Sequence, residues 1–269
     1  MMIYQERPPS PALAAVIKHY WSLEYDGVDA EPETILPDGC PELIFSLAHR
    51  FRRIDGVKTE LQPASLFAGQ ISRRITIRPT GKVKLFGVRF KPMGAFALCG
   101  YSLHELTDRM FDIDSIFGRE GSLLEEAINI APNLETRIGL FERFALSTKR
   151  NGSDQTSTST AIDLITESRG NVQISTLTTY LNRSERSLER NFRERVGLPP
   201  KLFARIVRFQ NVVRTIETSS DPRMLDTALS FGYFDQSHMI RDFREFSSKS
   251  PLEYFNEKHN ISALFTARP

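Results

Sequence analysis

The stretch ALSFGYFDQSHMIRDFREFSSKSPLEYF (228–255) contains a spacing of apolar and basic residues that occurs twice in the chain. Its Met239, Arg241, Phe243, Arg244, Glu245, Pro251 and Tyr254 repeat, 51 residues later, the positions of Leu188, Arg190, Phe192, Arg193, Glu194, Pro200 and Phe203. Two copies of one pattern predict two copies of one structural unit. Each copy predicts a short helix, a tight turn and a second, arginine-bearing helix, the layout that places a helix in a DNA major groove.

A helix-turn-helix unit needs a small residue where its helices cross, a turn residue tolerant of positive φ, apolar anchors and a polar outer face. In the second copy these features fall on Ala228, on Gly232, on Met239 with Phe243, and on Gln236, Ser237, His238 and Arg241. In the first copy they fall on Thr178, on Asn182, on Leu188 with Phe192, and on Arg186, Glu189 and Arg190. Ser184 and Asp235 are the expected N-caps of the two outer helices.

Further helices are predicted around these units. Ala161, Ile162 and Ile165 indicate a first helix that stops at Gly170, and a short one covers 174–181. Pro200 opens a long joining helix that extends to Glu217, about 27 Å at ~1.5 Å per residue. Met224, Ala228 and Phe231 predict another short helix, and Pro251 opens a last one.

The stretch Asn151–Thr160 has no large apolar residue and is rich in Ser and Thr, which predicts a linker. The chain therefore divides into a first domain at 1–150, a linker at 151–158, a helical domain at 159–257 and a tail at 258–269. The expected fold class is α+β in two domains: a β-rich domain with trailing helices, then an all-α domain of two helix-turn-helix units joined by a long helix.

The first domain has two kinds of pattern. Short β-type runs occupy 42–47, 65–70, 74–79 and 83–90, separated by turn residues. After Met93 the pattern becomes helical, and Leu103, Leu106 and Met110 have helical spacing. Leu134, Ile138, Phe141 and Ala145 form an apolar stripe that either packs on the β part or serves dimerisation.

Composition gives weaker limits. The formal net charge of the 269 residues is +2, but 13 of the 16 basic residues from 151 onward are Arg, which pairs bidentately with phosphate and guanine. Cys40 and Cys99 are too few and too distant for a zinc or iron–sulfur site, so no metal or cofactor is expected. Without a secretory signal or an apolar run of ~18 residues, the expected location is the cytoplasm, at the nucleoid.

Residues 159–257 resemble the DNA-binding domain of the AraC/XylS family of transcription regulators. The resemblance is most specific in 228–255, where a small residue, a Gly turn, Asp-Gln-Ser-His and Pro-x-x-Tyr follow the family signature. The sequence departs from the family pattern at Thr227, where an aliphatic residue is usual, and in FSSKS (246–250), which lacks a glycine.

The resemblance implies sequence-specific binding of double-stranded promoter or operator DNA. The implied base-facing residues are Arg186, Glu189 and Arg190 in the first recognition helix, and Gln236, Ser237 and Arg241 in the second. Arg193, Arg244 and Lys201 are expected to contact phosphates, and Ser184 joins the expected DNA-binding set. The alternative is a solvated helix face on which these arginines pair with neighbouring glutamates.

In this family the preceding domain usually senses a small molecule, dimerises, or both, so the further implied partners are a small-molecule effector, a second copy of the chain and RNA polymerase. The best-known sensor domain is a cupin barrel, but His19, His49 and His104 are too scattered for a cupin metal site. The stretches 35–45 and 87–109 instead resemble an uncharacterised domain of some AraC-like regulators, and that resemblance brings no ligand.

Two sets of charged residues in the first domain are candidate effector contacts. Arg89 and Lys91 precede Pro92-Met93-Gly94 and could hold an anionic effector at the next helix N-terminus, or form a surface salt bridge instead. Asp38 and Glu42 lie in a turn that enters a strand, where they are either effector contacts or exposed turn residues.

Two readings compete with a regulator. A DNA-repair enzyme that carries the same DNA-binding unit would need a four-cysteine site, and no P-loop, nucleophile elbow, dinucleotide fingerprint or H-E-x-x-H occurs, so no catalytic residue is expected. A protein-interaction adaptor would leave the outer arginines without a role, and salt-dependent DNA binding would distinguish it.

Overall fold

The computed structural model describes residues 2–27, 30–149, 156–218 and 232–256. Within these ranges the chain forms a β-rich part with trailing helices and then an all-helical part, which confirms the predicted fold class. The described residues include no helix that combines the length and the hydropathy of a transmembrane span.

In the part of the chain that the structure describes, ten strands form two antiparallel sheets. They are β1 (Ile3–Arg7), β2 (Ile17–Tyr25), β3 (Glu33–Ile35), β4 (Glu42–Ser46), β5 (Phe51–Asp55), β6 (Lys58–Leu61), β7 (Ser65–Ala68), β8 (Ile75–Pro79), β9 (Val83–Phe90) and β10 (Met110–Asp112). The large sheet has the order β1-β2-β9-β4-β7-β10, and the small sheet has the order β3-β8-β5-β6.

The large sheet is covered on both faces, and this explains why its central strand β9 is apolar. Successive side chains of a strand point to opposite faces. On β9, Phe86 and Val88 belong to a core shared with the helices, whereas Leu85 packs with Phe51 of the small sheet. Strands buried on both faces are apolar almost throughout, which is why 83–90 is predictable as a strand.

Four helices follow within this part: α1 (Phe96–Cys99), α2 (Leu103–Leu106), α3 (Ile113–Ile130) and α4 (Leu134–Thr148). The stripe on α4 packs on the β-rich part, because Leu134, Phe141 and Ala145 are buried in the large-sheet core and Ile138 lies against it. The helical expectation at Met110 is wrong. Asp108 has a φ of +60°, which ends the helical stretch and lets Met110 pair with Ala68 in the large sheet.

The helical part contains α5 (Thr156–Glu167), α6 (Ile174–Leu181), α7 (Glu185–Arg195), α8 (Pro200–Thr218), α9 (Gln236–Ser247) and α10 (Pro251–Phe255). These match the predicted helices, except that α5 begins at Thr156 and so takes in 156–158 of the predicted linker. The expected helix around Met224, Ala228 and Phe231, the departure at Thr227 and the tail 258–269 lie outside the described residues.

The predicted turn residues adopt the required backbone. Asn182 has a φ of +49° and closes α6, while Gly232 has a φ of +88° before α9. A Cβ on Gly232 would also lie 2.6 Å from the Cβ of Asn171, so this position needs glycine for space as well as for conformation. The turn of the second unit thus lies directly against the loop that precedes α6.

Candidate nucleic-acid interface and ligand cavity

The first recognition helix, α7, is divided into a buried and an exposed face. Leu188 and Phe192 are 2% and 0% exposed. The predicted contacts on the opposite side all have exposed side chains: Arg186, Glu189, Arg190 and Arg193. Ser184 caps the helix by accepting a hydrogen bond from the Ser187 N–H at 3.3 Å. The cap fixes where α7 begins and therefore which side chains share its outer face.

The second recognition helix, α9, repeats this division. Met239 and Phe243 are buried, and the Asp235 side chain caps the helix by accepting from the His238 N–H at 2.7 Å. The exposed residues are Gln236, Ser237, Arg241 and Arg244. The His238 ring instead packs edge-on against Tyr233, with 5.3 Å between the ring centroids. The predicted contacts therefore form two exposed sets, one on each helix.

The joining helix α8 packs against both recognition helices through aromatic rings. Phe203 lies 6.1 Å from Phe192 of α7, and Phe209 lies 4.9 Å from Phe243 of α9. Its 19 residues correspond to about 28 Å at ~1.5 Å per residue. One continuous element thus carries the anchors of both units.

Polar contacts that the sequence did not indicate hold α9 on α8. The Arg205 guanidinium donates to the Asp242 carboxylate at 2.7 Å and lies 5.1 Å from the Phe246 ring. Arg208 donates to the Gly232 carbonyl at 3.0 Å and lies over Tyr233. Asp242 is 1% exposed. The sequence feature that could have indicated this pair is Asp242 itself, an acidic residue between the apolar anchors Met239 and Phe243 of the predicted helix.

A groove runs between the two units. Its charged lining residues are Lys201, Arg205, Arg208, Arg241, Glu185, Asp242 and Glu245. Arg205 is paired with Asp242 and Glu245. The other charged residues of the described lining are three cations, Lys201, Arg208 and Arg241, and one carboxylate, Glu185. The predicted phosphate contact Lys201 is exposed there. The lining residues that the structure describes carry one more positive than negative charge, which suits a phosphate backbone.

The β-rich part encloses a cavity of about 100 Å³ between its two sheets. Its lining is mostly apolar, with Trp21, Leu23, Ile44 and Leu85 from the large sheet and Ile75 and Ile77 from the small one. A Cβ on Gly87 would lie 1.9 Å from the Trp21 ring, so the indole lies across this glycine. Glycine at 87 therefore makes room for the wall of the cavity.

Three of the four candidate effector residues meet at this cavity. Arg89 is 3% exposed, contacts the Asp38 carboxylate and donates to Glu42 at 2.8 Å. Glu42 also accepts a hydrogen bond from the Trp21 indole N–H at 3.2 Å. Burial raises the pKa of Glu42, although the positive charge of Arg89 opposes this shift. We name Asp38, Glu42 and Arg89 the carboxylate–guanidinium triad.

The fourth candidate, Lys91, lies elsewhere. Its side chain is exposed and lines a cleft between the β-rich and helical parts, together with Lys18, Arg214 and Asp38, so Asp38 borders both the cavity and this cleft. Arg89 and Lys91 are thus not brought together, and the guanidinium already contacts two carboxylates of its own chain. Within the described ranges, no group of three or more His, Cys, Asp and Glu side chains could hold a metal ion.

The segment 35–40 separates the cavity from the helical part. Ile35, Leu36, Asp38 and Cys40 line the cavity. On the other side, the Pro37 carbonyl accepts a hydrogen bond from Gln210 of α8 at 2.6 Å, and Gly39 lies against the Phe203 ring. The wall of the cavity is therefore also a contact surface of the joining helix.

Further contacts connect the parts, and one of them brings Arg193 Nη1 of α7 to 3.5 Å from His104 Nε2. Thr107 donates to the Gly197 carbonyl, just beyond α7, at 2.8 Å. Arg74 donates to Ser248, just beyond α9, at 2.6 Å. Both recognition helices thus have an end tied to the β-rich part.

Residues 177–257 match the family model described as a helix-turn-helix domain, and residues 5–112 match a domain of unknown function, DUF6597. No curated protein sequence matches the chain. Among solved structures, an apo lysine-to-alanine variant of ToxT from Vibrio cholerae is similar at 12% identity, with 93% of this chain and 98% of that chain covered and a TM-score of 0.51. This likeness shows a shared overall fold.

Two other solved structures are more distant. Wild-type ToxT from Vibrio cholerae with bound unsaturated fatty acid has 10% identity, 95% and 94% coverage and a TM-score of 0.46. The AraC-like transcriptional activator CuxR has 14% identity, 75% and 73% coverage and a TM-score of 0.27.

Proposed function

We propose that this chain, whose residues 177–257 belong to the AraC-type helix-turn-helix family of transcription regulators, binds specific DNA by inserting α7 and α9 into successive major grooves. The observation that carries the proposal is the packing of both recognition helices on one continuous helix, with their arginine-bearing faces exposed. A connector of about 28 Å is commensurate with the ~34 Å that separates successive major grooves on one side of DNA.

The proposed base contacts are Arg186, Glu189, Arg190, Gln236, Ser237 and Arg241. Arg pairs with guanine, Gln with adenine and Glu with cytosine, and each good bidentate contact discriminates by about 1–3 kcal/mol. Ser184, Arg193, Lys201 and Arg244 are proposed to contact the backbone, which positions the protein without specifying sequence. The chain then acts in the cytoplasm, at the nucleoid, and is not an enzyme.

Selection of DNA fragments by the full-length protein, followed by salt titration of the selected site, tests the proposal. Arg241→Ala should relax selection at one base pair. Arg244→Ala should weaken binding to selected and scrambled DNA equally. It should also reduce the slope of log affinity against log salt concentration by about 0.9. Arg143→Ala, an exposed arginine of α4, is the matched control and should change neither. Equal losses on both DNAs for both variants, or no salt-dependent binding, would contradict the proposal.

We further propose that the β-rich part senses a small molecule in its cavity and passes the signal to DNA binding through segment 35–40. The contacts of this segment with Phe203 and Gln210 support the route, because they join the cavity wall to the helix that carries both recognition helices. RNA polymerase and a second copy of the chain are further partners that the family resemblance implies. The spacing of half-sites in the selected DNA tests the second copy.

A further inference from the structure

We propose that the cavity between the two sheets binds a small apolar amine that carries one positive charge, with its ammonium group beside Glu42 and its hydrocarbon part against Trp21. This rests on the proposed sensing role only for its effect on DNA binding. The amine-binding site itself stands on the size, lining and charge of the cavity.

The size of the cavity limits the hydrocarbon part. An apolar cavity of ~150 Å³ is large enough to bind benzene. The cavity here has about 100 Å³, less than that volume, so one small ring or a short alkyl chain is the largest hydrocarbon part that it can take, and larger amphiphiles are excluded. The apolar walls supply the burial energy, and the polar groups at one end would fix the orientation of the ligand.

The charge of the cavity indicates the polar group. Among the described residues that line it, the charged ones are Asp38, Glu42 and Arg89, two negative charges against one positive. Asp38 and Glu42 each retain only 15% side-chain exposure, and buried charges are stable when they are paired. The triad therefore carries a surplus carboxylate, which an ammonium group would neutralise.

Among the described residues that line the cavity, Arg89 is the one cation, so the surplus is not balanced inside it. His19, on β2 beside Arg89, has its pKa lowered to about 4 by burial and by the guanidinium, so the imidazole is neutral at pH 7. Glu6, on β1, adds a further carboxylate near His19 and accepts a hydrogen bond from the Tyr4 hydroxyl. Lys18 and Lys91 line the neighbouring cleft between the β-rich and helical parts, where Asp38 and Cys40 also lie, but neither lysine lines the cavity itself.

An anionic ligand fits this arrangement poorly. To reach Arg89 it would have to displace the carboxylate of Asp38 or Glu42, and the displaced group would then be buried without its cation. A neutral ligand could fill the apolar space but would leave the surplus carboxylate as it was. The same hydrocarbon should therefore bind best when it carries an amine.

Trp21 is the one tryptophan of the sequence and lines the cavity, so its fluorescence reports binding at this site. Benzylamine, benzyl alcohol and benzoate share one ring and differ in charge. Titrated into the full-length protein at pH 7, benzylamine should bind about 10- to 100-fold tighter than either analogue, because a hydrogen bond to a charged group exceeds a neutral one. Tighter binding of benzoate or benzyl alcohol, or no binding of benzylamine, would overturn the proposal.

Glu42→Gln keeps the size of the side chain and its ability to accept from Trp21 but removes the negative charge. It should lower the affinity for benzylamine at least about tenfold and change the affinity for benzyl alcohol by less than about twofold. Glu24→Gln, on the same sheet but outside the cavity lining and 39% exposed, is the matched control and should leave both affinities unchanged. Equal weakening of benzylamine in both variants would contradict the role of Glu42.

The pH dependence gives a second readout. Because burial raises the pKa of Glu42, its carboxylate forms at higher pH than usual, and benzylamine should bind more tightly as the pH rises through that pKa. Glu42→Gln should abolish this dependence. A pH dependence that is the same in both proteins would count against the site.

Failure of this proposal can be told apart from failure of the proposed function. Benzylamine binding that leaves DNA affinity unchanged would support the amine site and contradict the sensing role. DNA binding by a protein that shows no benzylamine response at Trp21 would support the regulator function and overturn the amine site.

Discussion

At the residue scale, the side chains that fix the geometry of the interface are buried ion pairs rather than the exposed residues expected to contact DNA. Arg205 connects α8 to α9 through Asp242, and Arg89 holds two carboxylates at the cavity. Caps and turns such as Ser184, Asn182 and Gly232 could be predicted, because their signals are local in sequence. The pairings could not, since Arg205 and Asp242 lie 37 residues apart and meet only through tertiary packing.

We expect Arg205→Ala to be strongly destabilising. It leaves the carboxylate of Asp242 buried without its cation, and loss of one partner of a buried pair costs about 3–5 kcal/mol. Chemical denaturation of the full-length protein measures this free energy of unfolding. Arg186→Ala, on the exposed face of α7, should stay within about 0.5 kcal/mol of wild type. A cost for Arg205→Ala no larger than that of Arg186→Ala would show that the pair is unimportant.

His19 should make stability depend on pH. Its pKa is lowered to about 4 in the folded state, chiefly by burial, so the unfolded chain binds the proton more readily between about pH 6.5 and pH 4. The contribution of His19 to the free energy of unfolding is therefore highest above pH 6.5, where His19 is neutral in both states. It should fall by about 2 kcal/mol between pH 7 and pH 4.5, because only the unfolded chain protonates His19 readily in that range. Unfolding of wild type and His19→Gln at both pH values gives the difference.

The matched control for this pH series is His49→Gln. His49 is exposed, so its replacement should leave the pH dependence of wild type unchanged. If His19→Gln loses as much stability on acidification as wild type does, another group carries the effect.

At the scale of elements, the predictable strands and helices were those with one dominant pattern. β9 is apolar because both of its faces are buried, and α4 has a helical stripe. β1 (IYQER) is polar and half-exposed, and β2 (IKHYWSLEY) mixes polar and aromatic residues, so neither stands out before its partners are known. The break after α2 depends on the positive φ of Asp108, which the sequence spacing of Leu106 and Met110 concealed.

Each recognition helix depends on a single cap. Ser184→Ala and Asp235→Ala each remove an acceptor for a first-turn N–H, which should cost about 1 kcal/mol of helix stability. Hydrogen exchange of α7 amides in the first variant and α9 amides in the second should accelerate about fivefold.

Ser175→Ala controls for loss of a hydroxyl inside a helix. Ser175 lies within α6, where Gln173 occupies the cap position. Its replacement should leave α7 and α9 exchange rates as in wild type, since alanine favours a helix interior. Acceleration in both recognition helices from either cap variant alone would indicate that they unfold as one unit.

At the scale of the whole molecule, the repeat predicted two units on one connector, and the structure adds the contacts between that connector and the cavity wall. Segment 35–40 contributes Leu36 to the core of the helical part and Asp38 to the triad. Local sequence spacing does not predict these contacts, because the partners are far apart in the chain. Gln210 and Pro37, for example, are separated by 173 positions. It is a consequence of how the two parts pack.

This packing predicts reciprocal coupling between the cavity and DNA, and a specific way to remove it. An effector that alters DNA affinity must have its own affinity altered by DNA by the same factor, typically about 5- to 150-fold. Gln210→Met keeps the bulk of the side chain but removes the donor to Pro37, so the coupling factor should fall to about twofold or less.

The neighbouring control is Asn211→Met, because the Asn211 side chain donates within α8 to the Val207 carbonyl. Benzylamine titrations followed at Trp21, with and without the selected DNA, measure the factor in all three proteins. If Gln210→Met keeps the wild-type factor, segment 35–40 is not the route between the sites, whereas equal losses in both variants would assign the effect to α8 as a whole.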